Sequence, residues 1–157
     1  MSEIRYGPWQ LRVDVEPTVR AYEQVEQGSA EGCDCDPCKN YVLVRSEVFP
    51  VDVLALFQSV GIDFRKEVEL AHYSRMPSGL HLYGAWFYVY GSIASGPNSW
   101  TTVEGTLKKP TFHRVNPTFE IGFTQVEKGR EPFEHGSCVQ VDFYVELPWR
   151  LEAPEPD

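Results

Sequence analysis

From Trp9 to Val15 every second residue is apolar: Trp9, Leu11, Val13 and Val15 alternate with Gln10, Arg12 and Asp14. A period of two predicts a half-buried strand over 9–15, which Pro17 ends. Beyond it the spacing lengthens, and a short helix is expected over 18–27, followed by a loop over 28–32. Asp36 and Pro37 mark a helix start. The aspartate can accept from free backbone donors, and proline has no N–H to leave unpaired in the first turn. This helix is expected over 37–46. Val51, Leu54, Ala55 and Phe57 then form the inward stripe of another helix over 50–60, closed by Gly61.

After Gly61 the period returns to two. Strands are predicted over 67–73, 80–93, 100–107, 119–126 and 139–147, separated by turn residues at 77–79, 95–98, 116–117 and 128–129. Short turns join antiparallel neighbours. The expected fold class is therefore α+β: a mainly antiparallel sheet of about five strands with two or three helices packed on one face. The 157 residues suffice for one core, so a single domain is expected over 1–151, with a disordered acidic tail over 152–157.

Two strands carry more than fold information. In the last one Gln140, Asp142, Tyr144 and Glu146 alternate with five apolar residues, so one sheet face is wet or covered by something else. In 80–93 both faces are apolar or aromatic, with Tyr83, Ala85, Phe87 and Val89 on one and Trp86, Tyr88 and Tyr90 on the other. Such a strand is central, or it floors a ligand groove. Trp86, Tyr88, Tyr90, Asp142 and Tyr144 are thus the candidate binding residues, and the bland alternative is a core under long loops.

Composition narrows the partners. A hydrophobic fraction of 42% excludes global disorder, and a formal net charge of −9 opposes nucleic-acid phosphates and anionic membrane surfaces. The helix pair over 37–60 could pass for a DNA-binding hairpin, but its second helix has no basic residue to meet phosphate. No apolar run reaches membrane-spanning length and the first residues do not form an export leader. The partner is expected to be a protein or a small ligand, with no nucleic acid and no membrane.

Three of the four cysteines fall within six residues, Cys33, Cys35 and Cys38, whereas disulfide scaffolds spread their cysteines along the chain. A reducing cytoplasm and a local use of the thiols follow. Three thiolates this close can chelate one soft ion, and zinc takes four ligands, so Cys138 or His135 is the expected fourth. A second reading takes Cys35-Asp-Pro-Cys38 alone, whose C-x-P-C form at a helix start looks like the thioredoxin motif. The helix N-terminus would favour a Cys35 thiolate, while Asp34 and Asp36 would oppose it and no apolar strand leads into the motif. The third reading is three reduced cysteines packed in a loop. His72, His81, His113 and His135 have no spacing that would place two imidazoles on one metal, and they read more readily as satisfied strand or loop residues. Glu67 and Glu69 read as the solvated side of a strand.

The residues Cys33, Cys35, Cys38, Asn40 and Tyr41, then Phe49-Pro50, Gly61 with Asp63, Tyr83-Gly84 with Trp86-Phe87, and finally Leu147-Pro148-Trp149, resemble a set of small bacterial proteins of uncharacterised function. That resemblance spans about residues 33–151. It implies a common fold and no activity, and Cys138 matches nothing recurrent in the set. Two functions follow from the whole: a small acidic, non-enzymatic binding or interaction module with a structural zinc site, or a thiol-dependent oxidoreductase using Cys35 and Cys38.

Overall fold

In the computed structural model, which describes residues 1–109 and 111–157, the elements follow in the order β1 (Ser2–Tyr6), β2 (Trp9–Val13), α1 (Val15–Gln24), α2 (Asp36–Val48), α3 (Val51–Val60), β3 (Glu69–Arg75), β4 (His81–Ser95), β5 (Thr101–Val103), β6 (Thr106–Lys108), β7 (His113–Asn116), β8 (Phe119–Val126) and β9 (Cys138–Leu147). The class is α+β, as the alternation predicts. The main sheet has seven strands in the order β1-β2-β4-β9-β8-β7, with β3 also on β4, and every pairing is antiparallel.

The expected count of five strands is too low for two local reasons. Strands β1 and β7 are short, the first mostly exposed and the second mostly half-buried, and both carry little apolar alternation. The segment expected as one strand over 100–107 is instead the separate β5-β6 hairpin, turned at Glu104 and Gly105, both at positive φ. Helix α1 also starts three residues earlier than expected. Pro17 lies in its first turn, where a missing N–H leaves no bond unmade.

The helices cover the face of the sheet that carries Tyr83, Phe87 and Phe143. Phe57 of α3 meets Phe87 edge-on at 5.0 Å, and Tyr41 of α2 lies 5.9 Å from Tyr83. Phe49, between α2 and α3, packs edge-on against Phe57, Phe119 and Phe143. Each such pair adds roughly 0.5–1.5 kcal/mol beyond the burial of its area.

Strand β4 is the spine. One edge pairs with β9 from His81 to Tyr90, and the other takes β3 at one end and β2 at the far end. Helix α1 fills the gap between them. The Tyr22 hydroxyl donates to the Tyr88 carbonyl at 2.7 Å and accepts the Tyr88 N–H at 3.1 Å, and Thr18 Oγ1 accepts the Tyr90 N–H at 3.0 Å. Two side chains thereby replace a strand. Because Tyr22→Phe would orphan a buried donor and a buried acceptor, it should cost about 2 kcal/mol. Thermal unfolding should show a midpoint lowered by about 4–8 °C; an unchanged midpoint would mean that water takes over both bonds.

The stretch 152–157, expected as a disordered acidic tail, makes contacts with the sheet. Glu155 reaches back to His81 at 2.7 Å and to Arg75 at 3.6 Å, and the Trp149 indole donates to the Ala153 carbonyl at 3.1 Å. Its prolines and acids suggest disorder by composition, but one buried histidine gives the acid a partner. Among the described residues no helix is long and apolar enough to cross a membrane.

Candidate metal centre and aromatic groove

The cysteines sit where a loop enters α2. Ser29 donates its N–H to the Glu67 carbonyl at 3.1 Å, Ala30 donates to the Glu67 carboxylate at 3.2 Å, and Glu31 pairs with Arg45 at 2.6 Å. The next turn follows directly. Cys33 N–H bonds the Ala30 carbonyl at 3.2 Å, Cys35 takes the N-cap position, and Cys38 lies in the first turn of α2. The expected cap, Asp36, is one residue inside the helix, and no side chain caps it.

The three sulfurs converge. Cys33 Sγ and Cys35 Sγ are 3.1 Å apart, and all three Sγ atoms lie within 4.8 Å of one another. Two zinc–sulfur bonds of about 2.3 Å at a tetrahedral angle separate their sulfurs by about 3.8 Å, so small shifts would seat an ion. The thiols differ in acidity. The Cys35 N–H, with the thiols of Cys35 and Cys38, hydrogen-bonds the Cys33 sulfur and lowers its pKa, whereas burial and the two neighbouring sulfurs push the Cys38 thiol up. Three sulfurs turned to one point form a ready chelate. The cluster can hold a metal ion.

The expected fourth ligand is elsewhere. Cys138 stands opposite Tyr90 on β9, while the cysteine loop touches the other end of β4, where the Tyr83 hydroxyl donates to the Pro37 carbonyl at 2.8 Å. Seven residues of strand separate these points by about 23 Å. Cys138 is fully buried with its thiol directed at the Phe133 and Gly136 carbonyls, and His135 lies beside Tyr90. Neither reaches the three sulfurs, and no other His, Cys, Asp or Glu among the described residues joins them.

The opposite sheet face carries the predicted aromatic set, divided in two. Trp86 and Asp142 are direct cross-strand partners, and Tyr144 is two residues further along β9. These three, with Trp100, Leu107 and Gln140, line a groove of about 500 Å³. Tyr88 and Tyr90 share their face but not the groove. Phe133 lies over both, at 5.6 and 6.0 Å between ring centres, and the Tyr90 hydroxyl donates to the Pro132 carbonyl at 3.0 Å. They are core residues under the 129–137 loop, so of the three aromatic candidates on β4 only Trp86 lines the groove.

Gly84 makes the floor low. A side chain there would strike the rings of Tyr144 and Tyr73, which lean together across it at 5.8 Å. Asp142 is buried, and both its oxygens accept from the Gln140 amide, at 3.1 and 3.3 Å. Burial raises its pKa to about 6, although bonds from Gln140 and Trp100 pull the other way. Trp86 Nε1 is buried and has no partner among the described residues.

Sequence reasoning missed two features. His72 Nε2 and His81 Nδ1 are 2.9 Å apart, and with Nε2–H of His81 donating to Glu155, its Nδ1 is left to accept from His72. The signal was the β3-β4 hairpin around the turn at 77–79, whose register pairs His72 with Tyr83 and Arg75 with His81 and so sets the two histidines diagonally across the strands. Burial, and then the neighbouring His81, lowers the His72 pKa. Glu67 is the second. Expected on a solvated face, it is 2% exposed because it precedes β3 and turns inward to hold the cysteine loop.

Compared with known proteins, the chain matches no family model, no curated protein and no solved structure.

Proposed function

We propose that this chain is a small, non-catalytic binding module of the cytoplasm whose cysteine loop is clipped to the start of α2 by one zinc ion on Cys33, Cys35 and Cys38. The convergence of three sulfurs within 4.8 Å carries this reading. Thiolates favour a borderline-soft ion over harder cations, and an ion on them would join residues on both sides of the helix start. The fourth position would be taken by water or by a donor from a bound partner, since Cys35 is exposed.

Elemental analysis of protein purified under reducing conditions should find about one zinc per chain, and Cys35→Ser and Cys38→Ser should each release it. An ion present at about a hundred times its dissociation constant adds about 2.7 kcal/mol to stability. A chelator should then lower the unfolding midpoint by about 5–10 °C in the unmodified protein and leave both variants unmoved. Metal-free protein that takes up no added zinc would sink the proposal.

One observation favours a thiol-dependent oxidoreductase as the second reading, the lowered pKa of Cys33. It moves the attacking sulfur from Cys35 to Cys33. Rapid alkylation of Cys33 in the folded, metal-free protein, with turnover of a disulfide substrate, would favour that reading over the zinc clip.

A further inference from the structure

We propose that the groove on the open sheet face binds an organic ammonium ion, the cationic head of a small molecule seated among Trp86, Trp100 and Tyr144 with its charge against Asp142. The inference rests on the binding-module reading but uses different residues from the metal, so either can fail alone.

An imbalance of charge carries it. Asp142 is buried in the groove, yet its carboxylate meets only neutral donors, Gln140 and Trp100, and no cation among the described residues pairs with it. A buried carboxylate without a counter-charge is costly, and a cation arriving from solution removes that cost. The walls suit a cation too. Aromatic faces attract positive charge, and at both rims the protein's own cations already use them: Arg130 lies 5.4 Å from the Trp86 ring centre and Lys109 lies 4.3 Å from that of Tyr144. Both are already ion-paired, Arg130 with Glu69 and Lys109 with Glu120, which leaves the interior carboxylate to a ligand.

Other ligand classes fit less well. An anion would meet Asp142, and a wholly apolar molecule would desolvate that carboxylate further. A bare metal ion would find one carboxylate among rings, too few oxygens for a hard cation. A volume of about 500 Å³ is in the usual range for small-molecule sites and exceeds an ammonium head, so the ligand carries an apolar body. The net charge of −9 draws cations toward the chain.

The test compares choline with its neutral isostere 3,3-dimethylbutan-1-ol, by tryptophan fluorescence and calorimetry near neutral pH. Choline should saturate and bind at least about ten-fold more tightly than the alcohol, the ratio that corresponds to one desolvated cation–ring contact. Asp142→Asn should weaken choline at least about ten-fold and leave the alcohol unchanged. Should that variant fail to fold, Gln140→Lys supplies an internal cation beside Asp142 and should abolish choline binding, whereas Cys35→Ser should not affect it. Equal affinity for the two probes, no saturable binding of choline, or undiminished binding in a folded Asp142→Asn or Gln140→Lys variant would overturn the proposal.

Discussion

Replacing Asn40 by alanine should destabilise the protein by about 3 kcal/mol, one of the two largest effects expected of a single side chain here. Asn40 is fully buried in α2, and its amide is saturated by chain more than a hundred residues away. Its oxygen accepts the N–H groups of Arg150 and Leu151 at 2.8 and 3.2 Å, and its nitrogen donates to the Pro148 carbonyl at 3.1 Å. Truncation would orphan two donors and one acceptor, at about 1 kcal/mol or more each. The consequence is local as well as global. Trp149, tilted against His81 at 5.4 Å, lies within the clamp, and Glu155, bonded to that histidine, lies beyond it. The C-terminal segment should therefore become protease-sensitive before the sheet unfolds. A loss below about 1 kcal/mol, with the segment still protected, would show that Arg150, ion-paired with Glu47, holds it without the amide.

That clamp also marks how far the sequence could be read. The cysteines, Asn40 and the Pro148-Trp149 pair stand out as motif residues, but only the fold shows that one side chain bonds the last of these to the helix the first ones start. Strand β9 was readable because its two faces differ in polarity along all ten residues. Strand β7 was not, having four residues and no clear apolar face. The same distinction explains the groove. Trp86, Asp142 and Tyr144 share a face by parity alone, whereas the burial of Tyr88 and Tyr90 depends on Phe133, which reaches them from an irregular loop without periodicity. The sulfurs of Cys33, Cys35 and Cys38 were bound to be close by spacing. The exclusion of Cys138 needed the strand register, which places it opposite Tyr90, far from Tyr83.

Glu67→Gln should change how stability depends on pH, and by about as much as the loss of Asn40. The Glu67 side chain is buried. Oε2 accepts the Ala30 N–H, and Oε1 has no partner among the described residues. Burial raises its pKa from 4.5 to about 7, against smaller opposing effects of the Ala30 bond and Arg45. Between those values the folded state binds the proton and the unfolded state has released it, so unfolding becomes easier as pH rises. The contribution of the protonated acid is complete below about pH 4.5 and is lost as pH climbs through 7. In size it is about 3 kcal/mol, the free energy of a shift between those two values. Asp142 acts in the same direction over a lower range, and His72, whose pKa is lowered, acts oppositely as pH falls. The difference between wild type and Glu67→Gln removes both. A neutral amide resembles the protonated acid, so the variant should match wild type near pH 4 and exceed its stability by about 3 kcal/mol near pH 8, as measured by urea unfolding at the two values. Parallel curves would mean that the carboxylate is hydrated where it lies.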